Sequence, residues 1–137
     1  MRISEFAKET GFSEDTLRYY ERIGLLGRVL RDGAGHRVYR AEDLRWAEFL
    51  ARLTATGMPI AGMLAYAKAR AAGDATVPAR HAQLVAHRAE VAARIAELSS
   101  CLSILDTKIA TYEAMMSDAK GATHEHGNQV GTRPPAA

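Results

Sequence analysis

The stretch from Ser13 to Leu26 limits the fold most, because it holds a helix start and a helix stop close together. The Ser13 hydroxyl can cap the first turn of a helix, and the acidic side chains of Glu14 and Asp15 suit the positive end of the helix dipole. Gly24 supplies a residue for the left-handed conformation in which many helices end. These signals predict a short helix between Ser13 and Gly24.

A second short helix is predicted immediately before it. Its inward positions recur at helical spacing and are Ile3, Phe6, Ala7 and Thr10. Gly11 then ends the helix two residues before Ser13. Two short helices joined by a tight turn form a helix-turn-helix. A small helical hairpin with Leu17 and Tyr20 in its core fits these two helices almost as well.

A basic β-hairpin is predicted after the second helix. Val29-Leu30 and Arg37-Val38-Tyr39 have the pattern of short strands, and Asp32-Gly33 between them is typical of a hairpin. From residue 18 to residue 40 there are six arginines and two acids, a local excess of four positive charges. A basic hairpin beside a basic helix is a wing that can straddle a phosphate backbone.

Four side chains of the second helix suit contact with DNA, namely Thr16, Arg18, Tyr19 and Arg22. Arginines and hydroxyls near a helix N-terminus reach phosphates and base edges when the helix enters the major groove. The net charge of the whole chain, +2, is too small to indicate nucleic acid by itself. The prediction depends on where the arginines lie.

The run from Thr16 to Leu26, followed by Gly35-His36-Arg37-Val38-Tyr39, resembles the MerR family of bacterial transcriptional regulators. The resemblance extends from Met1 to about Ile60. It implies that Arg18 and Tyr19 contact the DNA backbone and base edges, with Thr16 close to the same groove. It also implies that Arg37 and Tyr39 of the wing grip flanking phosphates. By the same resemblance, Leu17, Tyr20 and Leu25 are packing residues.

Two more helices are predicted between about residues 41 and 72, with a break at Gly57-Met58-Pro59. Their apolar positions are Trp46, Phe49, Leu50 and Leu53 in the first helix and Ile60, Met63, Leu64 and Ala67 in the second. A stripe with this spacing is typical of core packing and not of a ligand pocket. Residues 73–76 form a predicted linker, and Pro78 marks the next helix start.

One heptad register then runs from about Val77 to Asp118. Its two core positions are Leu84, Val91, Leu98, Leu105 and Tyr112, and Arg88, Ile95, Leu102, Ile109 and Met116. A helix of about 42 residues would be on the order of 63 Å long. The small N-terminal domain could not cover it, so we predict a coiled-coil seam between two copies of the chain. The resemblance implies that the two helices are antiparallel.

The expected fold is therefore mostly α. Residues 1–73 form a winged helix-turn-helix DNA-binding domain with a second helix pair, residues 77–118 a dimerisation helix, and residues 119–137 a disordered tail. No nucleophile and base pair, phosphate loop or metal triad is visible, which disfavours an enzyme. The absence of a signal peptide or apolar membrane span, together with a single cysteine, favours the cytoplasm.

The expected function is that of a transcriptional regulator, a homodimer that binds a pseudo-palindromic operator in double-stranded DNA. The resemblance implies that the dimer distorts the promoter spacer for RNA polymerase when an effector binds. Two alternatives stay open: an architectural or recombination-accessory DNA-binding protein without an effector, and a coiled-coil adaptor. The sequence does not separate activation from repression.

The sequence does not identify an effector or a cofactor. Cys101 is the only cysteine, which disfavours a thiolate metal site, and it is a candidate thiol sensor. A packing role for Cys101 is the stronger interpretation, because the nearest basic residues, Arg94 and Lys108, each lie seven positions away. His124 and His126 in the tail could bind a divalent metal weakly, although such a pair is more often incidental.

Overall fold

The computed structural model describes the backbone of residues 1–124 and the side chains of residues 1–121. The elements in this part of the chain are α1 (Ile3–Thr10), α2 (Glu14–Arg22), β1 (Leu30–Arg31), β2 (Arg37–Val38), α3 (Ala41–Ala55), α4 (Ile60–Ala71) and α5 (Val77–His124). This order confirms the predicted fold class: a mostly α chain with a helix-turn-helix, a small wing, a second helix pair and a long C-terminal helix.

The predicted caps of α1 and α2 are confirmed. The Ser13 hydroxyl accepts a hydrogen bond from the backbone N–H of Thr16 at 3.0 Å, which satisfies one orphan amide of the first turn of α2. Gly11 and Gly24 follow α1 and α2 with φ of 79° and 86°, in the left-handed region that favours glycine. The caps fix the lengths of both helices and hence the tight turn between them.

The wing is an antiparallel pair in which Leu30 lies opposite Val38 and Arg31 opposite Arg37. Its loop is longer than the Asp-Gly turn that the sequence suggests. One carboxylate oxygen of Asp32 accepts hydrogen bonds from the backbone N–H groups of Ala34 and His36, at 3.0 and 2.9 Å. Aspartate favours such loops because it satisfies amides that a strand ladder leaves unpaired. The left-handed glycine of the loop is Gly35, with φ of 84°.

One apolar core joins the helix-turn-helix, the wing and the second helix pair. Its buried members are Phe6, Leu17, Tyr20, Leu25, Leu26, Val29, Tyr39, Trp46, Ala47, Leu50, Leu53, Met63 and Tyr66. Leu17, Tyr20 and Leu25, predicted to be packing residues, are thus buried in this core. The indole N–H of Trp46 donates to the carbonyl oxygen of Leu25 at 2.9 Å and so ties α3 to the segment that follows α2.

The second helix pair matches its predicted bounds closely, with one difference. Ile60, predicted to face inward, is the first residue of α4 and is exposed. Tyr66 takes an inward position instead, and its ring stacks on Trp46 with 5.9 Å between centroids. The apolar face of α4 is therefore displaced toward the C-terminal half of that helix.

The predicted linker is a 3-10 turn, Asp74–Thr76, held by side-chain hydrogen bonds. The Thr76 hydroxyl lies 2.7 Å from the carbonyl oxygen of Gly73, and Arg80 donates to that same oxygen at 3.2 Å. Further along α5, Leu84 packs against the core, and His87 Nε2 lies 2.7 Å from Thr56 Oγ1. The first turns of α5 thus belong to the N-terminal domain.

The chain divides inside α5 into a unit formed by Met1–Ala89 and a second unit that begins at Glu90. In the second unit the helix continues to His124, past the predicted end at Asp118. Ala119 and Lys120 are good helix formers, and a single glycine such as Gly121 is tolerated inside a long helix. The rest of the predicted tail, residues 125–137, lies outside the described residues.

Candidate nucleic-acid interface

Helix α2 has one buried face and one exposed face. Leu17 and Tyr20 are buried in the core, whereas Arg18, Tyr19 and Arg22 are exposed. Side chains that differ by one or two positions point to different sides of a helix, so burying the first pair presents the second group to solvent. The three exposed side chains predicted to contact DNA therefore lie together on one accessible surface.

Arg18 is held by the first turn of its own helix. Its guanidinium lies 3.0 Å from a carboxylate oxygen of Asp15 and 3.3 Å from one of Glu14. Exposed ion pairs of this kind contribute only about 0 to 1 kcal/mol, so a phosphate can replace the carboxylates at little cost. These pairs hold the guanidinium over the N-terminal half of α2, where an operator contact is expected.

The neighbouring positions of α2 are also held in place. The Arg22 guanidinium lies over the Tyr19 ring, 5.4 Å from its centroid, at a distance typical of a cation-π contact. Thr16 is half-buried in the first turn, and its hydroxyl accepts a hydrogen bond from the Ser13 hydroxyl at 2.8 Å. Thr16 therefore supports the helix start and lies one turn before the Tyr19 and Arg22 pair.

The wing meets α2 through Glu21. The Arg37 Nε–H donates to one carboxylate oxygen of Glu21, and an Arg31 terminal nitrogen lies 3.4 Å from the other oxygen. Arg31 also donates to the carbonyl oxygen of Gly35 at 3.0 Å. From the sequence, Glu21 is recognisable only as one of two acids in a basic segment. No local signal could identify its partners, which lie 10 and 16 residues away in the chain.

An open cleft of about 430 Å³ lies between α1, α2 and the wing. Its polar lining is mostly basic: Arg2, Ser4, Glu14, Arg18, Arg31, His36 and Arg37. Asp32 of the wing loop pairs with Arg2, with 3.3 Å between the carboxylate oxygen and the guanidinium nitrogen. The backbone N–H of His36, which donates to the Asp32 carboxylate, is the main cause of a lowered pKa of that carboxyl group. The cleft combines donors from three elements on a surface suited to an anionic backbone.

Tyr39 does not lie where the sequence analysis placed it, and the prediction that it grips a phosphate is wrong for this structure. Its side chain is 3% exposed and its ring stacks on Phe6. Burial raises the pKa of the phenol, which stays neutral at physiological pH. The physical reason is that Tyr39, directly after β2, lies against Phe6 of α1, where an aromatic ring contributes more as core than as a surface donor.

Residues 1–69 match the family model for MerR helix-turn-helix regulatory proteins. The chain belongs to the MerR family. Among its curated relatives, the transcriptional regulator AdhR of Bacillus subtilis is 41% identical over 80 residues, a match that covers 58% of this chain and 57% of AdhR. The family and its named relatives are transcriptional regulators and not enzymes, as the sequence predicts.

Solved MerR structures share the fold over most of the chain. A MerR family regulator from Listeria monocytogenes has a TM-score of 0.85 at 34% identity, with 92% of this chain and 96% of that chain covered. HiNmlR, a MerR family regulator that lacks the sensor domain and was crystallised on promoter DNA, has a TM-score of 0.77 at 33% identity. That alignment covers 85% of this chain and 92% of HiNmlR.

The chain exposes its predicted dimerisation seam from residue 95 onward. The side chains of Ile95, Leu98, Leu102, Leu105, Ile109 and Tyr112 are 44% to 69% exposed. Val91 is half-buried. Leu84 is also half-buried, and it packs against the core of its own domain. In the first turns of α5, Leu84 and His87 contact the N-terminal domain, whereas Val77 and Val85 are 50% and 53% exposed.

Of the candidate effector side chains, the structure describes only that of Cys101. Cys101 is exposed on α5. The side chain of His124 and the whole of His126 lie outside the described residues. In the described part of the chain, no group of three or more histidine, cysteine or acidic side chains is placed to hold a metal ion. None of the helices within residues 1–124 is both long enough and apolar enough to cross a bilayer.

Proposed function

We propose that this MerR family chain is a sequence-specific transcriptional regulator that binds a pseudo-palindromic promoter operator as a homodimer. The observation that carries the proposal is the exposed basic surface formed by α2 and the wing. A fold related to that of HiNmlR, which binds promoter DNA, supports the same conclusion. Basic side chains on a helix and an adjacent hairpin are the two parts with which a winged domain grips a groove and its flanking phosphates.

In this proposal α2 enters the major groove. Arg18 and Tyr19 contact base edges and phosphates, while Thr16 and Arg22 lie at the two ends of the contact surface. Arg37 approaches the backbone beside the groove. A guanidinium has five N–H donors, and the contact with Glu21 uses the one on Nε, so Arg37 keeps donors for a phosphate. Tyr39 supports the wing from within the core.

The homodimer is proposed from the apolar seam of α5. Several large apolar side chains at heptad spacing in solvent are costly, and pairing with the same seam of a second copy removes them from water. A two-fold dimer repeats one surface on both subunits, which matches two inverted half-sites in DNA. The antiparallel arrangement of the paired helices comes from the family resemblance.

Regulation is proposed to act through DNA shape. An effector-bound dimer bends and untwists the spacer between the two promoter elements, so that RNA polymerase can engage both. HiNmlR is described as lacking the sensor domain and still binds promoter DNA, which supports operator binding by a winged domain and long helix alone. Because promoter DNA lies in the bacterial cytoplasm, that compartment is the proposed location.

Selection of bound sequences from random duplex DNA tests the proposal. The purified chain is incubated with a randomised pool in about 0.15 M salt, because weak phosphate binding dominates at low salt. The expected result is enrichment of one inverted repeat. A duplex that carries this repeat should be shifted by the protein in a gel, and the same sequence should occur within a promoter. An architectural or accessory protein would enrich no sequence, or only flexible sequences without inverted symmetry. A coiled-coil adaptor would bind no duplex at all. Either result would overturn the proposal.

A further inference from the structure

Glu21 of α2 forms the ion pairs that connect this helix to the wing. It lies in the last turn of α2 and accepts from two wing arginines, one on each carboxylate oxygen. Arg31 comes from β1 and Arg37 from β2. A single acidic side chain therefore connects the helix proposed to read bases with both strands of the hairpin proposed to hold phosphates.

The register of the wing makes this contact necessary. Arg31 and Arg37 are directly opposite each other in the antiparallel pair. Like charges at opposite positions destabilise a two-stranded sheet, and a hairpin of this size has little other pairing to compensate. The carboxylate of Glu21 offsets the repulsion, since each guanidinium meets a different oxygen. Without it the two arginines would move apart or turn toward solvent.

The contact is also shielded from water. The side chain of Glu21 is 19% exposed and that of Arg37 is 25% exposed, compared with 45% for Arg18 in its own ion pairs. Partly buried pairs are less screened by salt than exposed ones, so this contact persists at ionic strengths that weaken the Arg18 pairs. The Arg31 side chain is 47% exposed and is the more accessible of the two arginines that contact Glu21.

We propose that Glu21 is a positioning residue for specificity. It fixes the distance between the wing arginines and α2, so that phosphate contacts form fully only when α2 is seated in its correct groove. The inference rests on the proposed function. Removing the carboxylate would release two flexible cations that bind any phosphate, and the protein would exchange discrimination for non-specific affinity.

The test compares Glu21→Gln with a matched variant, Glu48→Gln. Glu48 is an exposed acid on α3, and its replacement changes the net charge by the same amount away from the wing. Affinities of the full chain are measured for the selected operator and for a scrambled duplex over a range of salt concentrations. We expect E21Q to reduce the ratio of operator to scrambled affinity about tenfold, the effect of losing one well-placed contact.

The salt dependence provides a second readout that a purely structural role would not change. Each arginine released onto a phosphate steepens the plot of log affinity against log salt by about 0.9. We expect this steepening on scrambled DNA for E21Q and not for E48Q. An unchanged affinity ratio in E21Q, or an equal fall in E48Q, would overturn the inference.

Two controls separate failure of the inference from other failures. If the unmodified chain selects no operator, it is the proposed function that fails. If circular dichroism shows that E21Q is unfolded, Glu21→Asp replaces it. Aspartate keeps the charge but is one methylene shorter, so its carboxylate is drawn back from the two arginines. We expect E21D to lose part of the discrimination, and a full wild-type affinity ratio in E21D would overturn the inference.

Discussion

The rings of Phe6 and Tyr39 stack face to face, with 4.0 Å between their centroids and 8° between their planes. This contact joins the first helix to the residue at which the wing returns to the core. The backbone N–H of Tyr39 also donates to the carbonyl oxygen of Met1 at 2.8 Å. The wing is thus anchored at its base by packing, while its basic side chains form part of the proposed DNA-binding surface.

Tyr39→Phe should leave DNA binding unchanged and stabilise the protein. The Tyr39 hydroxyl is buried without a hydrogen-bond partner among the described residues. An unsatisfied buried hydroxyl costs free energy, so its removal should raise the free energy of unfolding by about 1 kcal/mol in urea denaturation. The ring stack on Phe6 is kept in this variant. A clear loss of operator affinity in this variant would mean that the Tyr39 hydroxyl does contact DNA.

Arg18→Ala should weaken operator binding by about 1 to 3 kcal/mol and reduce the salt slope by about one phosphate contact. The reason is that its guanidinium is exposed and held over α2 only by weak surface pairs. Titration by fluorescence anisotropy at several salt concentrations measures both quantities.

Arg37→Ala should produce a similar loss of operator affinity, because it removes the wing cation nearest to α2. Arg52→Ala on α3 is the control, since it removes the same charge outside the proposed interface. Wild-type affinity in both R18A and R37A would mean that neither arginine contacts the operator. A loss of the dimer in either variant, measured by light scattering, would make the effect indirect.

Replacing both Leu98 and Leu102 with glutamate should convert the protein to a monomer. Both side chains are more than half exposed in the single chain, at 69% and 59%, and lie at core positions of the heptad seam. Charges there would repel across a paired seam. Light scattering should report 14.9 kDa for the double variant and twice that mass for the wild type.

Ile104→Glu is the matched control for the seam. Ile104 is 70% exposed on the same helix but lies outside the two heptad core positions. We expect I104E to remain a dimer. A monomer in I104E, or a dimer in the Leu98 and Leu102 double variant, would mean that a different face of α5 forms the interface.

The wing loop should loosen in acid through Asp32. Its carboxyl pKa is lowered, chiefly by the hydrogen bond from the His36 backbone, and the folded state therefore keeps the charged form to lower pH than the unfolded chain does. The stabilisation is complete above the ordinary aspartate pKa of about 4 and is lost as pH falls through the lower folded value. Amide shifts of Ala34 and His36 should report this transition.

Asp32→Asn provides the comparison for the acid transition. Its side-chain oxygen still accepts hydrogen bonds from backbone amides, so the loop should keep its shape at neutral pH, but it has no charge to lose. We expect the amide shifts of Ala34 and His36 to be flat with pH in D32N. If the amide shifts changed with pH in the same way in D32N and in the wild type, the transition would belong to a group other than Asp32.

The sequence predicts the parts of the fold that depend on neighbouring residues. Ser13, Gly11 and Gly24 set the helix ends through local hydrogen bonds and backbone conformation, and each has the predicted role. Long-range contacts are less visible. Tyr39 has the chemistry of a DNA contact, and only the position of Phe6 across the core shows that it is buried. The pairing of Glu21 with two arginines likewise depends on hairpin register.

The proposed dimerisation helix, α5, likewise has features that the sequence predicts and features that it does not. Its heptad pattern predicts which side chains share a face, and in the single chain both the seam side chains from residue 95 onward and Ile104, outside the seam, are exposed. Periodicity cannot distinguish an intrachain partner from a second copy. For that reason it does not predict that Leu84, at a seam position, packs against the core of its own domain.

The most direct test of the central claim is how operator affinity depends on the spacing of its two half-sites. A rigid two-fold dimer holds its two α2 helices at one separation, on one face of the DNA. Lengthening the centre of the selected inverted repeat by about five base pairs turns one half-site to the opposite face, and affinity should fall at least about tenfold. Equal affinity for the original and lengthened sites would contradict the account, because the two half-sites would not be bound by one dimer.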